Sequence, residues 1–320
     1  MIGALRAGLR AAWRLRTLAL LLLAVNLAAS ALLAAPLFRL LERDLTNRGA
    51  APRLVAGFDY DWWQRFADNR SGFGTSFGPE MLGAGFAFRN LELLLGGALP
   101  GRLFSRQEAP SGAEPLVLAL GVAYFALQTA LLGGILAALR APNGGFALRA
   151  FAHACGLYLG PIARVTLLAL ALDGFVFLLN VPVSAWADGR AREAVTEATA
   201  FAWSFGRHAA LFVALLGVHL LSGYAKALVV LEERRSASLA LLSALGFVLG
   251  RARAVVGHFA AIVLLGLLLV AGYVALDGAL TVTGYRSQLV ALALMQAFML
   301  ARIGLRLALS GGQLHLLRRR

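Results

Sequence analysis

The sequence is poor in cysteine, lysine and charge. Cys155 is the only cysteine, which excludes an intramolecular disulfide and a metal site of CxxC spacing. Lys226 is the only lysine, so arginine supplies nearly all of the positive charge. Charged residues make up 14% of the chain and hydrophobic residues 60%, with a mean hydropathy of +0.75. A soluble domain of this length needs a more polar surface, so that class is excluded.

Recognised catalytic motifs are also missing. HExxH, GxSxG, Walker A and GxGxxG do not occur in a setting that would support them. The glycine-rich residues 71–78 lack the lysine of a phosphate loop and predict a turn. The histidines lack the spacing of metal ligands. Basic residues are dispersed among helix ends and short loops rather than gathered in one domain. We therefore expect no metal, no cofactor and no nucleic-acid partner.

Long apolar runs dominate what is present and predict an all-α integral membrane protein. Each run holds about 20 residues, enough to cross a hydrocarbon core of about 30 Å. The six predicted spans are residues 17–38, 116–139, 157–181, 208–231, 258–276 and 288–309. The first run is longer than the core of a signal peptide and predicts an uncleaved anchor, with cleavage near residues 30–35 as the alternative.

The distribution of charge predicts the topology. The N-terminal segment, the second and fourth loops and the C-terminal tail carry more than half of the basic residues and only two acidic ones, Glu232 and Glu233. The positive-inside rule therefore places both termini in the cytoplasm. An even number of spans likewise requires both termini to lie on the same side of the membrane. The preference for arginine and alanine over lysine is typical of GC-rich bacterial genes, so we expect a multi-pass protein of the bacterial cytoplasmic (inner) membrane.

Segments outside the spans are predicted to lie at the membrane surface. Residues 1–16 form a cytoplasmic interfacial helix, residues 39–115 a periplasmic loop with short helices near 59–63 and at 79–99, and residues 116–320 the remaining spans and the basic tail. Further interfacial helices are predicted at 146–154 and 236–249. Arginines on this side are expected to bind anionic lipid headgroups. These basic residues are Arg6, Arg10, Arg14, Arg149, Arg251 and Arg253.

Local similarities suggest three parallel units, each an interfacial helix followed by two spans. Residues 156–160 (GLYLG) match residues 246–250 (GFVLG), and Gly133 matches Gly223 at the same offset. The alternative is coincidence among abundant small residues. The pairs Gly156/Gly160 and Gly246/Gly250, together with Gly133-Gly134, are small residues of the kind that let helices approach closely.

Polar residues inside the spans are the candidate functional residues, because polar groups are costly in lipid. Each lies at least about 12 Å from the nearer span end. They form the predicted polar midplane: Asn26, Gln128, Asp173, His219 and Gln296. We expect Asp173 and His219 to pair directly. The set predicts either an ion or proton pathway or simple hydrogen bonds between helices. Lys226, Arg164, Arg302 and Arg306 are expected to extend to the cytoplasmic surface.

Three segments carry a resemblance to known proteins: GGILAALR (133–140), FAHACG (151–156) and SGYAKALVVLEERR (222–235). The chain resembles a broad group of uncharacterised six-span bacterial inner-membrane proteins. The resemblance implies topology and origin, and no activity. Our leading expectation is a non-catalytic accessory, assembly or permease-like component, with lipids and other membrane subunits as partners. The alternatives are a transporter or channel with a polar midplane cavity, and an intramembrane enzyme.

Overall fold

The computed structural model describes residues 2–48, 59–69, 74, 77, 115–141, 146–280 and 284–319. Within these residues the regular secondary structure is helical and contains no strand. The helices in this part of the chain are α1 Ile2–Arg14, α2 Arg16–Arg48, α3 Tyr60–Asn69, α4 Pro115–Arg140, α5 Leu148–Arg192, α6 Glu197–Leu231, α7 Ala237–Gly250, α8 Ala252–Ala279 and α9 Tyr285–Arg318.

Several helices have the length and composition of membrane spans. Among the described residues these are α4, α5, α6, α8 and α9, and each contains one of the predicted spans. The first predicted span lies in α2, which meets the same criterion only when it is joined to α1 across a bend of 70°. The prediction of an all-helical, multi-pass membrane protein is therefore confirmed.

The helix predicted at residues 146–154 is not a separate element. These residues lead directly into α5, one continuous helix of 45 residues that passes through Pro161 and Pro182. At about 1.5 Å per residue, α5 is about 68 Å long and exceeds the thickness of a bilayer core. The segment at 236–249 does form its own helix, α7, but α7 contains no basic residue; its arginines flank it.

The first predicted loop begins later than expected, because α2 continues to Arg48. The helix predicted after Asp59 is present as α3, and the Asp59 carboxylate accepts a hydrogen bond from the Trp62 backbone amide at 3.0 Å. Trp62 is buried, and its indole N–H donates to Asp44 of α2 at 2.8 Å. The helix predicted at 79–99, and most of the turn at 71–78, lie outside the described residues.

The main apolar core lies at one end of the bundle, where α4, α6 and α9 terminate. We call this the inner end and the opposite one the outer end. Residues 224–230 of α6 are almost all buried there, against buried residues of α2, α4, α5, α7 and α9. By contrast, residues 121–126 in the outer half of α4 are exposed in succession, so no face of that stretch is packed. The bundle is closed at its inner end. The outer parts of α2 and α4 are exposed, and we call them the open outer half; beside them α8 and α9 pack together through Val270, Tyr273 and Phe298.

Arginines hold the helices together at the inner end by donating to backbone carbonyls. Arg140 donates to the carbonyl of Val230 at 2.9 Å, and Arg14 donates to that of Ala141 at 2.9 Å. Arg318 donates to the carbonyl of Arg140 itself. Carbonyls at the C-terminal end of a helix have no partner within the helix and carry partial negative charge. Cationic side chains from neighbouring helices satisfy them here.

Glycines allow the closest helix contacts. A Cβ at Gly8 of α1 would collide with the backbone carbonyl of Ala308 in α9, and a Cβ at Gly312 would collide with the His258 ring. Gly134 likewise admits Cys155 and Phe151 of α5, as expected for a packing glycine.

The packing role predicted for the other glycine pairs is wrong. A Cβ at Gly156, Gly160, Gly246 or Gly250 would meet no atom within 4 Å. The threefold repeat is not confirmed either. Gly133 lies against α5, whereas its proposed counterpart Gly223 lies under the Gln313 side chain of α9.

Candidate polar site at the edge of the core

Polar side chains line the outer edge of the main core. In α2 the core extends to Leu23, and Asn26 follows one turn later; in α4 it begins at Leu131, one turn after Gln128. His219 immediately precedes the core segment of α6. Three of the predicted midplane residues therefore lie at the same boundary, between the packed inner end and the open outer half.

Hydrogen bonds join α2, α4 and α9 at this boundary. The Asn26 side-chain oxygen accepts from Gln128 Nε2 at 2.7 Å and from the Tyr124 hydroxyl at 3.1 Å. The remaining oxygen of Gln128 accepts from Arg306 at 3.5 Å. The predicted grouping of Asn26 with Gln128 is therefore found, and Tyr124 and Arg306 join it.

The position of Arg306 along its helix places this site deep in the bundle. Twelve residues separate Arg306 from Arg318, and twelve separate Gln128 from Arg140, whose carbonyl Arg318 contacts. Twelve residues correspond to about 18 Å of helix, near the middle of a core of about 30 Å. Helical side chains also lean towards the N-terminus of their helix, here away from the inner end. Arg306 therefore lies level with Gln128 and does not extend to the inner surface, which corrects the expectation for this residue.

The predicted pair of Asp173 and His219 is not formed. No hydrogen bond or ion pair joins them, and both side chains are described. His219 lies edge-on to the Phe259 ring, with centroids 6.3 Å apart. The cation whose charge acts on Asp173 is Lys226 of α6. Lys226 and Arg306 in turn are the charged groups near His219.

Gln296 does not join the site. It precedes Arg306 by ten residues on α9, about 15 Å further towards the outer end. Its side-chain oxygen is buried without a hydrogen-bond partner. The polar midplane predicted as one group is thus divided between a connected site and an isolated amide.

Positive charge prevails around the connected site. Arg302 lies one turn before Arg306, and the charge of Arg306 acts on both Arg302 and Lys226. Asp173 is the carboxylate that acts on Lys226. A charged side chain at mid-span costs about 2.5–3.5 kcal/mol on insertion scales. At least three cations therefore lie in this region of the described structure: Lys226, Arg302 and Arg306.

The sequence analysis missed Tyr124 and assigned Arg302 and Arg306 to the cytoplasmic surface, although these residues follow a simple spacing. Tyr124 and Gln128 are four apart in α4, and Arg302 and Arg306 are four apart in α9. Residues at this spacing share one helix face. Two polar pairs of this kind in separate spans indicate helix faces that meet. A single polar residue does not indicate which faces meet.

The six arginines predicted to face lipid fall into different environments. Arg14 and Arg251 donate to the backbone carbonyls of Ala141 and Arg319, both at 2.9 Å. Arg10 donates weakly to a carbonyl of its own helix at 3.4 Å. All six are exposed, including Arg6, Arg149 and Arg253. Arg14 and Arg251 therefore have a structural contact that the prediction did not include.

The described residues contain no group of three His, Cys, Asp or Glu side chains able to hold a metal ion. The arrangement is instead one of amide, phenol and cationic donors, which suits recognition of a polar or anionic group. Comparison of this chain with protein-family models, with curated proteins and with solved structures gives no match in any of the three.

Proposed function

We propose that the chain is a non-catalytic, permease-like protein of the bacterial cytoplasmic membrane. It has six spans, with the bent α1–α2 pair supplying the sixth, and both termini lie in the cytoplasm. The polar site on α2, α4 and α9 binds a polar substrate in the middle of the membrane. The open outer half leads to this site, and the packed inner end closes the path below it.

One observation carries the proposal: the polar residues Asn26, Gln128 and His219 border the core at the level where close packing ends. Groups that served only to hold helices together would be expected within packed interfaces. Here the Tyr124 side chain remains 44% exposed and Arg306 is exposed as well. Exposed polar groups at mid-depth need water or a ligand, because lipid cannot satisfy them.

Hydration of the site can be tested by cysteine labelling. In a Cys155→Ser background, Tyr124→Cys and Val122→Cys place single thiols two residues apart on α4, at positions that are both exposed. Two residues rotate by about 200°, so the thiols point in nearly opposite directions. A membrane-impermeant maleimide reacts with the thiolate, which forms only in water. We expect fast labelling at position 124 and slow labelling at position 122.

Equal labelling rates at the two positions, or no labelling at position 124, would contradict a hydrated site. Unfolded protein would be labelled at both positions. Both variants are therefore first passed over a size-exclusion column, and only protein that elutes at the unchanged position is labelled.

Anionic lipids are the proposed partners at the inner end. Arg6, Arg149 and Arg253 are exposed there, and Trp13 of α1 is 75% exposed. Exposed arginine together with an aromatic ring is typical of a segment at the headgroup level. Each such arginine contributes about 1 kcal/mol of attraction to an anionic surface.

A subunit of a membrane complex is the second candidate. The exposed guanidinium group of Arg306 has further N–H donors that an acceptor on a partner helix would also satisfy. Mild extraction from native membranes, followed by identification of co-purifying proteins, tests this role. A partner that protects the thiol of the Tyr124→Cys variant from labelling in membranes, and whose removal restores the labelling, would favour the complex over the permease.

A further inference from the structure

The cations of the polar site point to the charge of its ligand. Lys226 of α6 and Arg306 of α9 form no ion pair with any carboxylate of the described residues. Arg306 donates a single long hydrogen bond, to the neutral Gln128. Asp173 acts on the charge of Lys226 but is not among the ion pairs of the described residues. Within the described part of the chain, the positive charge near the site is therefore only partly balanced.

Extension to the aqueous surface at the inner end does not explain Arg306. Arg306 lies level with Gln128, about 18 Å from the inner-end contacts. A charge without a counter-ion is costly at this depth, and it is retained where a counter-ion completes the site.

We propose that the site binds an oxyanion, a phosphate-type group, between α4, α6 and α9. This inference rests on the proposed function and specifies its substrate class. The planar guanidinium group of Arg306 offers parallel N–H donors that match two oxygens of one phosphate, and the Lys226 ammonium group supplies a further point charge. Gln128 accepts from Arg306, and the second N–H of its amide can donate to the ligand from α4, whereas the Tyr124 hydroxyl already donates to Asn26.

The oxyanion reaches the site from the open outer half. Residues 121–126 of α4 are exposed, as are most residues of α2 after Asn26. This opening admits either a dissolved phosphate or a phosphate carried by a lipid. Both ligands present phosphate oxygens to Arg306. They differ only in the group that is attached to the phosphate.

The test measures ligand-dependent thermal unfolding of the purified full chain in a zwitterionic detergent. One series contains inorganic phosphate and the other contains phosphatidic acid at matched concentrations, with phosphatidylcholine as the neutral lipid. The variants are Arg306→Gln and, as a matched control, Arg286→Gln, which removes an exposed arginine of the same helix about 30 Å further towards the outer end. We expect the unfolding temperature of the wild type to rise with at least one phosphate source. A response to both phosphate and phosphatidic acid indicates a soluble ligand, and a response to phosphatidic acid alone indicates a lipid.

Arg306→Gln is expected to weaken the apparent affinity by about 30-fold or more, because a charged contact to the oxyanion is lost. Arg286→Gln should leave it unchanged. Without ligand, Arg306→Gln should unfold at the same temperature as the wild type or above it, since an unbalanced charge is removed. A ligand-free variant that is markedly less stable, an unchanged affinity, or a wild type that responds to neither source would overturn the proposal. A hydrated site at position 124 without any response to phosphate would refute the oxyanion and leave the permease role standing.

Discussion

Asn26 and Gln128 show how two amide side chains can connect three helices. The Asn26 side-chain oxygen accepts from Gln128 at 2.7 Å and from Tyr124 at 3.1 Å, and Gln128 passes the connection on to Arg306. Hydrogen bonds between spans are modest individually, about 0.6 kcal/mol on average and about 1.7 at most. They nevertheless fix the rotation of α2 and α4 about their own axes, because only one face of each helix can form these hydrogen bonds.

The Asn26–Gln128 hydrogen bond can be measured with a double-mutant cycle. We expect Asn26→Leu and Gln128→Leu each to lower the free energy of unfolding by about 0.5–1.5 kcal/mol. The double variant should lose less than the sum of the two, because neither partner is then left unsatisfied. Unfolding in detergent, followed by loss of helical circular dichroism, gives the energies.

Gln296→Leu is the matched control for this cycle, since the Gln296 oxygen is already buried without a partner. Its removal should be neutral or stabilising. Strict additivity of the Asn26 and Gln128 substitutions would show that the two amides do not interact.

Sequence reasoning identified the polar residues of the spans but not all of their partners. Asn26, Gln128 and His219 could be predicted because polar groups are scarce in apolar runs. The Asp173–His219 pair was wrong, because depth along two helices says nothing about which faces meet. Arg306 was assigned to the surface because a long side chain can extend, and only the register between α4 and α9 places it beside Gln128.

At the scale of elements, α1 and α9 form the closest helix contact described above. The sequence predicted α1 as a helix at the membrane surface. In the structure one face of α1, with Ala4 and Gly8, is buried against Ala308 and Gly312 of α9. Small residues on both helices were visible in the sequence, but 300 residues separate Gly8 from Ala308, and no local pattern connects them.

Gly8→Ala tests this contact. The added methyl group would collide with the Ala308 carbonyl, so α1 must move away from α9. We expect a loss of about 1–3 kcal/mol in the free energy of unfolding, as is typical of overpacking. Gly3→Ala in the same helix meets no atom within 4 Å and should be neutral or stabilising, because alanine favours helix over glycine. A similar response of both variants would show that α1 does not pack on α9.

At the scale of the whole molecule, the charge distribution predicts that both termini lie in the cytoplasm. The directions of the helices are compatible with this topology. Alkaline phosphatase, which is active only outside the cytoplasm, can be fused after Arg320 or within residues 49–58. We expect activity from the internal fusion and none from the C-terminal one, because basic residues cluster at the inner end. The reversed result would show that the bundle has the opposite orientation in the membrane. Activity from both fusions would contradict an even number of spans.

The contact between α1 and α9 also determines the order in which the protein can be completed. Ribosomes extend a chain by about 5–20 residues per second, so α9 is made tens of seconds after α1. During that interval the burial site for Ala4 and Gly8 does not exist. Helix α1 therefore remains without its partner while the intervening helices are made. A truncation before Ala308 removes the surface on which α1 packs and leaves α1 undocked.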